Sequence, residues 1–378
     1  MRLLFVVNDI DFFISHRLPL AEFALKNNYE VFVASNSLPK TKIKGITFLK
    51  FDINRSSVGL WSNLKSLIQL KRLVKSVSPE IVHSVTLKSI LLSNLCLIFD
   101  RKIKKVNAVS GLGFLFASER KSVPAIIVKG LFNLINIIGK PYYIFQNKND
   151  LQEFKKLSVK KNYTLIKGSG VNHKEFKYAI PHSNEKVNIT FTGRILKDKG
   201  ILELIKAVEI LPKEIKSKVV LNIYGKIDLD NPAHITETEL KKLLKPNFVI
   251  WHGNTNEIKN VLILSDIYCL PSYREGLPKS TIEAMAIGRP IITTNAPGCD
   301  DTVIEGYNGF KVPIKSPLEL SKKMKDLILD QRLRLNMGQK SRILFEKEFT
   351  LKKIVDQTIS VYKFVLKVND LDYNKITM

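Results

Sequence analysis

Two segments of this chain bring phosphate-binding and hydroxyl-binding groups into loops between regular elements. In TGRILKDKG, Gly193 permits a tight turn and Arg194 offers a forked donor matched to phosphate oxygens. Lys199 stands as a second cation at the mouth of a helix that begins near Gly200. Together they suit a diphosphate, and two solvated bases in a loop are the competing reading. In SYREGLPKSTIEAMAIGRPII, Gly276, Leu277 and Pro278 form a turn, and Ser280 can cap a helix whose first amides face the loop as an anion site. Glu283 falls three residues beyond Ser280, the spacing of a capping box in which a glutamate only satisfies a backbone amide. Glu275 has no such local duty, and a carboxylate beside an amide-lined anion site suits the hydroxyls of a sugar. Three acidic pairs, Asp9-x-Asp11, Asp228-x-Asp230 and Asp370-x-Asp372, resemble metal-binding pairs but have no further ligand nearby, and are read as turn residues.

The elements that must position these loops follow from the hydrophobic rhythm. Short apolar runs at Leu3–Val7, Val31–Ser35, Glu80–Ser84, Lys105–Val109, Tyr142–Gln146 and Tyr163–Lys167 alternate with segments of helical spacing such as Leu60–Lys75 and Ile90–Phe99. That alternation predicts a parallel sheet wrapped in helices. The stretch YAIPHSNEK over residues 178–186 interrupts it and reads as a linker. The rhythm restarts at Val187–Thr192, then Val219–Tyr224, Phe248–His252, Asp266–Leu270 and Pro290–Thr294, with a polar helix over Ser280–Ile287. Beyond Pro317 only helical patterns remain. The expected architecture is α/β: two doubly wound, Rossmann-like domains, 1–180 and 186–348, facing a cleft, with a terminal helix over 349–378 returning to the first. In open α/β sheets ligands bind beyond the carboxyl ends of the strands, which is where both chemical segments fall.

At 378 residues the chain exceeds a single core, and its 45% hydrophobic and 25% charged residues exclude a disordered or disulfide-stapled protein. Its net charge of +25 is the outlier and would attract phosphates, nucleic acid or an anionic membrane. Residues 1–185 carry 29 basic and 12 acidic residues, a net +17, against a net +8 for the remainder. A nucleic-acid binder is disfavoured, because the aromatic residues sit at core spacing and no binding motif is present. The three cysteines, Cys96, Cys269 and Cys299, match no metal or redox spacing and are expected as reduced thiols. No stretch reaches the ~18 uncharged apolar residues of a membrane span, so the protein is expected in the cytoplasm, dissolved or lying on the membrane.

The ordered set Gly193-Arg194…Lys199-Gly200, Glu275-Gly276-Leu277-Pro278…Glu283-Ala284 and Gly306…Asn308-Gly309-Phe310 resembles the retaining, nucleotide-sugar-dependent glycosyltransferases of the GT-B fold called family 4. The segments Ile14–Ser35, Pro79–Ser84 and Asn107–Phe116 look like the branch that assembles bacterial O-antigens, capsules and lipid-linked glycans, so the likeness runs nearly end to end. The resemblance implies that Arg194 and Lys199 bind the donor diphosphate, Glu275 the donor sugar and Glu283 the ribose. It implies that the amides of Gly276, Leu277 and Lys279 line the phosphates, and that the loops at Gly225 and Gly253 hold the nucleobase. It further implies no metal and no cofactor beyond a UDP-linked sugar cosubstrate, with a hexose or N-acetylhexosamine passing to a lipid-diphosphate-linked saccharide. A nucleotide-sugar epimerase shares the twin-domain layout and is the alternative.

There are departures. The first loop, Asn8–Ser15, lacks the glycine pair of many relatives, and Ser110-Gly111 stands where many have His-Gly. His16, expected to open the first helix, and His83, expected to end its strand, join Ser110 and Gly111 as acceptor-side candidates. The basic cluster Arg101–Lys105 with Arg120 and Lys121, ahead of an apolar helix beginning near Pro124, is the expected contact with an anionic membrane surface.

Overall fold

The computed structural model describes residues 1–53, 60–111, 123–157, 162–181, 185–229, 231–245 and 247–368. Arg120, Lys121, Asp230, Asp370, Asp372 and the segment 112–116 of the resemblance lie outside them. The chain divides into two units, Met1–Ser169 with Lys352–Met378, and Gly170–Leu351.

The first unit runs β1 (Arg2–Val6), α1 (Ile10–His16), α2 (Leu18–Lys26), β2 (Glu30–Ser35), β3 (Ile46–Lys50), α3 (Leu60–Val77), β4 (Ile81–Val85), α4 (Leu87–Cys96), β5 (Lys104–Val109), α5 (Val123–Leu134), β6 (Tyr142–Phe145), α6 (Lys148–Leu157) and β7 (Tyr163–Leu165). Its seven strands are parallel in the order β3-β2-β1-β4-β5-β6-β7. Strands such as LLFV and IVHSV are buried on both faces, so they read as continuous apolar runs. Right-handed crossovers put α3, α4 and α5 on one face. There Leu70 and Val74 of α3 and Leu92 of α4 share a cluster with Leu4, Val6 and Val82, and Ile90 of α4 joins Phe132 of α5, Tyr143 and Phe145 in the next. On the other face Phe13 meets Phe5 edge-on with ring centroids 5.5 Å apart.

The second unit runs β8 (Val187–Thr192), α7 (Ile201–Glu209), α8 (Lys213–Lys216), β9 (Val219–Tyr224), α9 (Glu237–Leu243), β10 (Val249–Trp251), α10 (Ile258–Ile263), β11 (Ile267–Leu270), α11 (Lys279–Ile287), β12 (Ile291–Thr294), β13 (Gly309–Val312), α12 (Pro317–Leu329) and α13 (Gln331–Glu348). Its six strands are parallel in the order β10-β9-β8-β11-β12-β13. The last helix, α14 (Leu351–Lys367), packs in the first unit, where Tyr142 and Phe364 meet edge-on at 5.6 Å and Tyr362 reaches His83.

Three expectations need correction. The edge strands β3 and β13 were not expected, because ITFLK and GFKV bury too little to show a continuous apolar run. The units part at Ser169/Gly170, earlier than the proline break, since Val171 and Phe176 belong to the second core and the Ala179 amide donates to Ile287 O at 3.0 Å. The helix α11 is buried from Thr281 to Ile287 despite its polar start. Its small residues admit close packing: a Cβ on Gly338 of α13 would lie 2.3 Å from Gly288 O.

Candidate functional site

In the second unit the strand order reverses between β8 and β11, so the loops after these strands flank the switch point at which doubly wound sheets bind ligands. Those two loops carry the charged residues singled out above. They are tied together, because the Tyr273 amide donates to Asp198 O at 2.8 Å and the Lys199 ammonium pairs with the Glu275 carboxylate. Both side chains of that pair are largely withdrawn from water, at 20% and 13% exposed. The Glu275 backbone is held by its amide bond to Pro297 O at 2.9 Å. Gly298, at φ 79°, lets the next loop close on it, since a Cβ there would lie 2.3 Å from Glu275 O. Cys299, beneath this loop, is an inert thiol whose pKa burial and the Glu275 charge push up to about 12.

Arg194, on the same loop as Lys199, donates from Nη1 to Asp228 Oδ2 at 2.6 Å. Asp228 is therefore more than a turn residue: it holds the guanidinium, a role missed in the sequence. Asp9 does take a local role, capping α1 through its bond from the Phe12 amide at 3.1 Å. Among the described residues no group of three or more His, Cys, Asp or Glu could hold a metal ion.

Beyond Arg194 lies a cavity of about 210 Å³ lined by Gly193, Arg194, Tyr224, Gly225, Lys226, Asn254, Thr255 and Ile258. Its floor is backbone: the Gly225 amide donates to Gly253 O at 2.7 Å, and Trp251 Nε1 donates to Gly225 O at 3.0 Å. A Cβ on Gly225 would lie 1.7 Å from Gly193 O, so only glycine allows this approach. Tyr224 and His252 stack with centroids 4.4 Å apart, and partial burial lowers the His252 pKa. An open concavity of this size, with one aromatic face and amide edges, fits a flat heterocycle.

At the start of α11 the capping-box expectation fails. The N-cap is Pro278, which makes no side-chain cap bond, and the helix begins at Lys279, so Ser280 already lies inside it. Among the described residues no side chain caps the first-turn amides, of which Lys279 supplies the first, as an anion site requires. Gly276 and the buried Leu277 form the turn just ahead. Glu283 instead pairs with Lys279 at 2.9 Å. Burial raises its pKa against the opposing pull of Lys279. A nearly buried carboxylate without a backbone cap to satisfy remains available to a ligand hydroxyl.

The acceptor-side candidates fare unevenly. His16 closes α1 rather than opening a helix, stacks on Phe12 at 4.4 Å and lies 2.7 Å from Ser15 Oγ through Nδ1. Ser110 and Gly111 follow β5 at the carboxyl edge and are half-exposed. His83 is corrected: it sits within β4 with no exposed surface, its Nδ1 2.6 Å from Tyr362 Oη, and burial beside Arg17 drives its pKa well below the usual histidine value. It is a core histidine that cannot meet an acceptor directly.

Comparison with known proteins agrees with this layout. A model of the family described as glycosyl transferases group 1 matches residues 172–344, and one described as glycosyl transferase 4-like matches residues 2–140. The N,N'-diacetylbacillosaminyl-diphospho-undecaprenol alpha-1,3-N-acetylgalactosaminyltransferase of Campylobacter jejuni is 25% identical over 85% of this chain and 88% of its own length. The UDP-Gal:alpha-D-GlcNAc-diphosphoundecaprenol alpha-1,3-galactosyltransferase of Escherichia coli is 26% identical over 81% of each. In fold, the sucrose-phosphate synthase of Thermosynechococcus elongatus superposes with a TM-score of 0.81 at 16% identity, over 97% of this chain and 99% of that one. The group 1 model takes in the second Rossmann-like unit, with the loops that carry Arg194, Lys199 and Glu275, and the 4-like model most of the first, and on that ground together with the fold the chain is a glycosyltransferase of the GT-B class.

Proposed function

We propose that this enzyme transfers a hexose or N-acetylhexosamine from a UDP-sugar to a lipid-diphosphate-linked saccharide, with retention of anomeric configuration, in the synthesis of a bacterial cell-surface polysaccharide. The observation that carries the reading is the convergence of two cation–carboxylate pairs, Lys199–Glu275 and Arg194–Asp228, on the switch-point loops beside the uncapped start of α11. Both relatives above have a diphospho-undecaprenol substrate in their names, and that of Escherichia coli names a UDP-sugar.

The chemistry follows from charge. In glycosyl transfer the bond from the anomeric carbon to the diphosphate lengthens before the acceptor oxygen bonds, leaving positive charge on the sugar and negative charge on the departing UDP. Lys199, Arg194 and the α11 amides stabilise that negative charge as it develops, which lowers the barrier without a metal ion. Donor binding draws Lys199 and Arg194 onto phosphate, and Glu275 then accepts hydrogen bonds from the sugar it faces. Glu283 takes the ribose hydroxyls, and the cavity by Gly225 and Gly253 takes the base. The acceptor side belongs to the first unit, where Ser110 and Gly111 follow β5 at the carboxyl edge and His16 closes α1. Its lipid tether calls for an anionic membrane surface as partner, with the enzyme peripheral on the inner face of the cell membrane.

A panel of nucleotide sugars tested for protection against thermal unfolding examines the donor assignment. UDP-sugars should raise the midpoint, since a ligand present at 100 times its Kd adds about 2.7 kcal/mol. Protection by none, or protection equally in Arg194→Ala, would overturn it. Release of free UDP only when acceptor is present separates transfer from epimerisation.

A further inference from the structure

The geometry points to the outer face of the α3–α4–α5 layer as the surface that seats this enzyme on an anionic bilayer, an inference that rests on the lipid-linked acceptor proposed above. The first unit exposes nine large hydrophobic side chains among its described residues, and seven of them lie on these three helices or in the turns directly after α4 and α5: Trp61, Leu64, Ile68, Phe99, Ile126, Leu134 and Ile137. Scattered exposed apolar residues are ordinary in soluble proteins, but such concentration on one face is not. Trp61 is the extreme case, at 85% exposed.

The pattern on α3 is that of an interfacial helix. Its buried side, with Ser66, Leu70 and Val74, covers the sheet, while Trp61, Leu64 and Ile68 recur at helical spacing on the opposite side. Lys65, Lys71, Arg72 and Lys75 are exposed on that same side. None of α3, α4 and α5 contains an acidic residue, whereas α6 and α14 do. Lys65 meets Asp52 at 3.9 Å, both well exposed, and Arg101 and Lys102 add cations beside Phe99. Apolar side chains flanked mostly by cations, with Asp52 and Asp100 the acidic residues beside them, complement a surface of anionic headgroups over an apolar interior.

Topology gives the face a purpose. Because α3 joins two parallel strands it runs antiparallel to them, so its first turns stand at the carboxyl edge of the sheet, the edge that also carries Ser110 and Gly111. A bilayer that takes up Trp61 and Leu64 therefore lies beside the edge at which a lipid-tethered saccharide has to be held. The cluster expected from the sequence is weaker than it looked. Lys105 is buried and donates to Leu97 O and Asp100 O at 3.1 and 2.6 Å, and Lys104 donates to Val368 O at 3.2 Å.

The test uses the full chain with phosphatidylcholine vesicles containing or lacking phosphatidylglycerol, at low salt. The parent should sediment with the anionic vesicles, and Trp61→Gln/Leu64→Gln/Ile68→Gln should weaken partitioning about tenfold or more. A control, Leu318→Gln/Leu329→Gln, removes exposed apolar side chains from α12 of the other unit and should bind as the parent does. Lipids brominated near the headgroup should quench a blue-shifted component of the tryptophan emission that Trp61→Phe removes. If the triple variant binds anionic vesicles as tightly as the parent, or Trp61 stays water-exposed on bound protein, this face is not the membrane surface, though the membrane-bound acceptor stands. If the parent ignores vesicles of either composition, that reading falls as well.

Discussion

Replacing Lys199 by methionine separates structural from catalytic roles of the Lys199–Glu275 pair. Breaking a wholly buried ion pair from one side costs about 3–5 kcal/mol. Side chains 20% and 13% exposed retain some screening, so the expected loss is about 2 kcal/mol. For a unit of this size that lowers Tm by about 4–8 °C. The double variant Lys199→Met/Glu275→Gln removes the orphaned carboxylate as well, and calorimetry should find roughly half or more of the lost stability restored. Transfer should behave differently. On the proposed donor assignment each residue serves a separate part of the donor, so each single variant should lose about 100-fold or more in kcat/KM, and the double variant should recover none of it. A double variant that regains transfer along with stability would refute the reasoning, because it would make the pair a strut between two loops and nothing more.

Other outcomes follow from the same geometry. Arg194→Ala should raise the donor KM, and Asp228→Asn should raise it by a smaller factor because it only loosens the guanidinium; a fall in kcat at unchanged KM for both would contradict the assignment. Glu283 has a raised pKa in the folded protein, so as pH climbs from the ordinary carboxylate range through that value the unfolded chain ionises first and folding weakens; denaturant titrations of Glu283→Gln should lack this loss, and identical pH profiles would exclude it. His83 is held neutral, so stability should fall as pH drops below about 6.5, by about 1 kcal/mol between pH 6.5 and 5.5, and His83→Gln should flatten that slope. Transfer should survive a strong chelator, and a loss restored by magnesium or manganese would reinstate a metal.

Much of the fold was legible because buried parallel strands write themselves as short apolar runs, as LLFV and IVHSV do. The edge strands β3 and β13 were not, since ITFLK and GFKV are only partly buried and carry no continuous apolar run, whereas the other two edges, β7 and β10, were. In the site, loops named by local residue type were legible, and pairings across the fold were not. Arg194 and Asp228 are 34 residues apart and meet only because β8 and β9 lie side by side. The Ser280-x-x-Glu283 spacing misled because the helix, capped at Pro278, starts two positions too early for Ser280 to cap it. His83 is flanked by Ile81, Val82 and Val85, a setting that signals burial, but its partner Tyr362 is 279 residues away. Lys105 likewise looked solvated until its ammonium was seen closing over backbone carbonyls at the end of α4.

The central claim is that the switch-point loops of the second unit hold a nucleotide sugar for transfer to a lipid-borne acceptor. Its most direct test is to incubate the enzyme with a UDP-sugar labelled in the sugar and an undecaprenyl-diphosphate-linked saccharide, following label in the lipid phase and free UDP together. Label should enter the lipid in step with UDP release, only when acceptor is present, in the anomeric configuration of the donor, and at least about 100-fold more slowly in a folded Glu275→Ala variant. Near-normal transfer by that variant, or UDP release indifferent to the acceptor, would contradict the account.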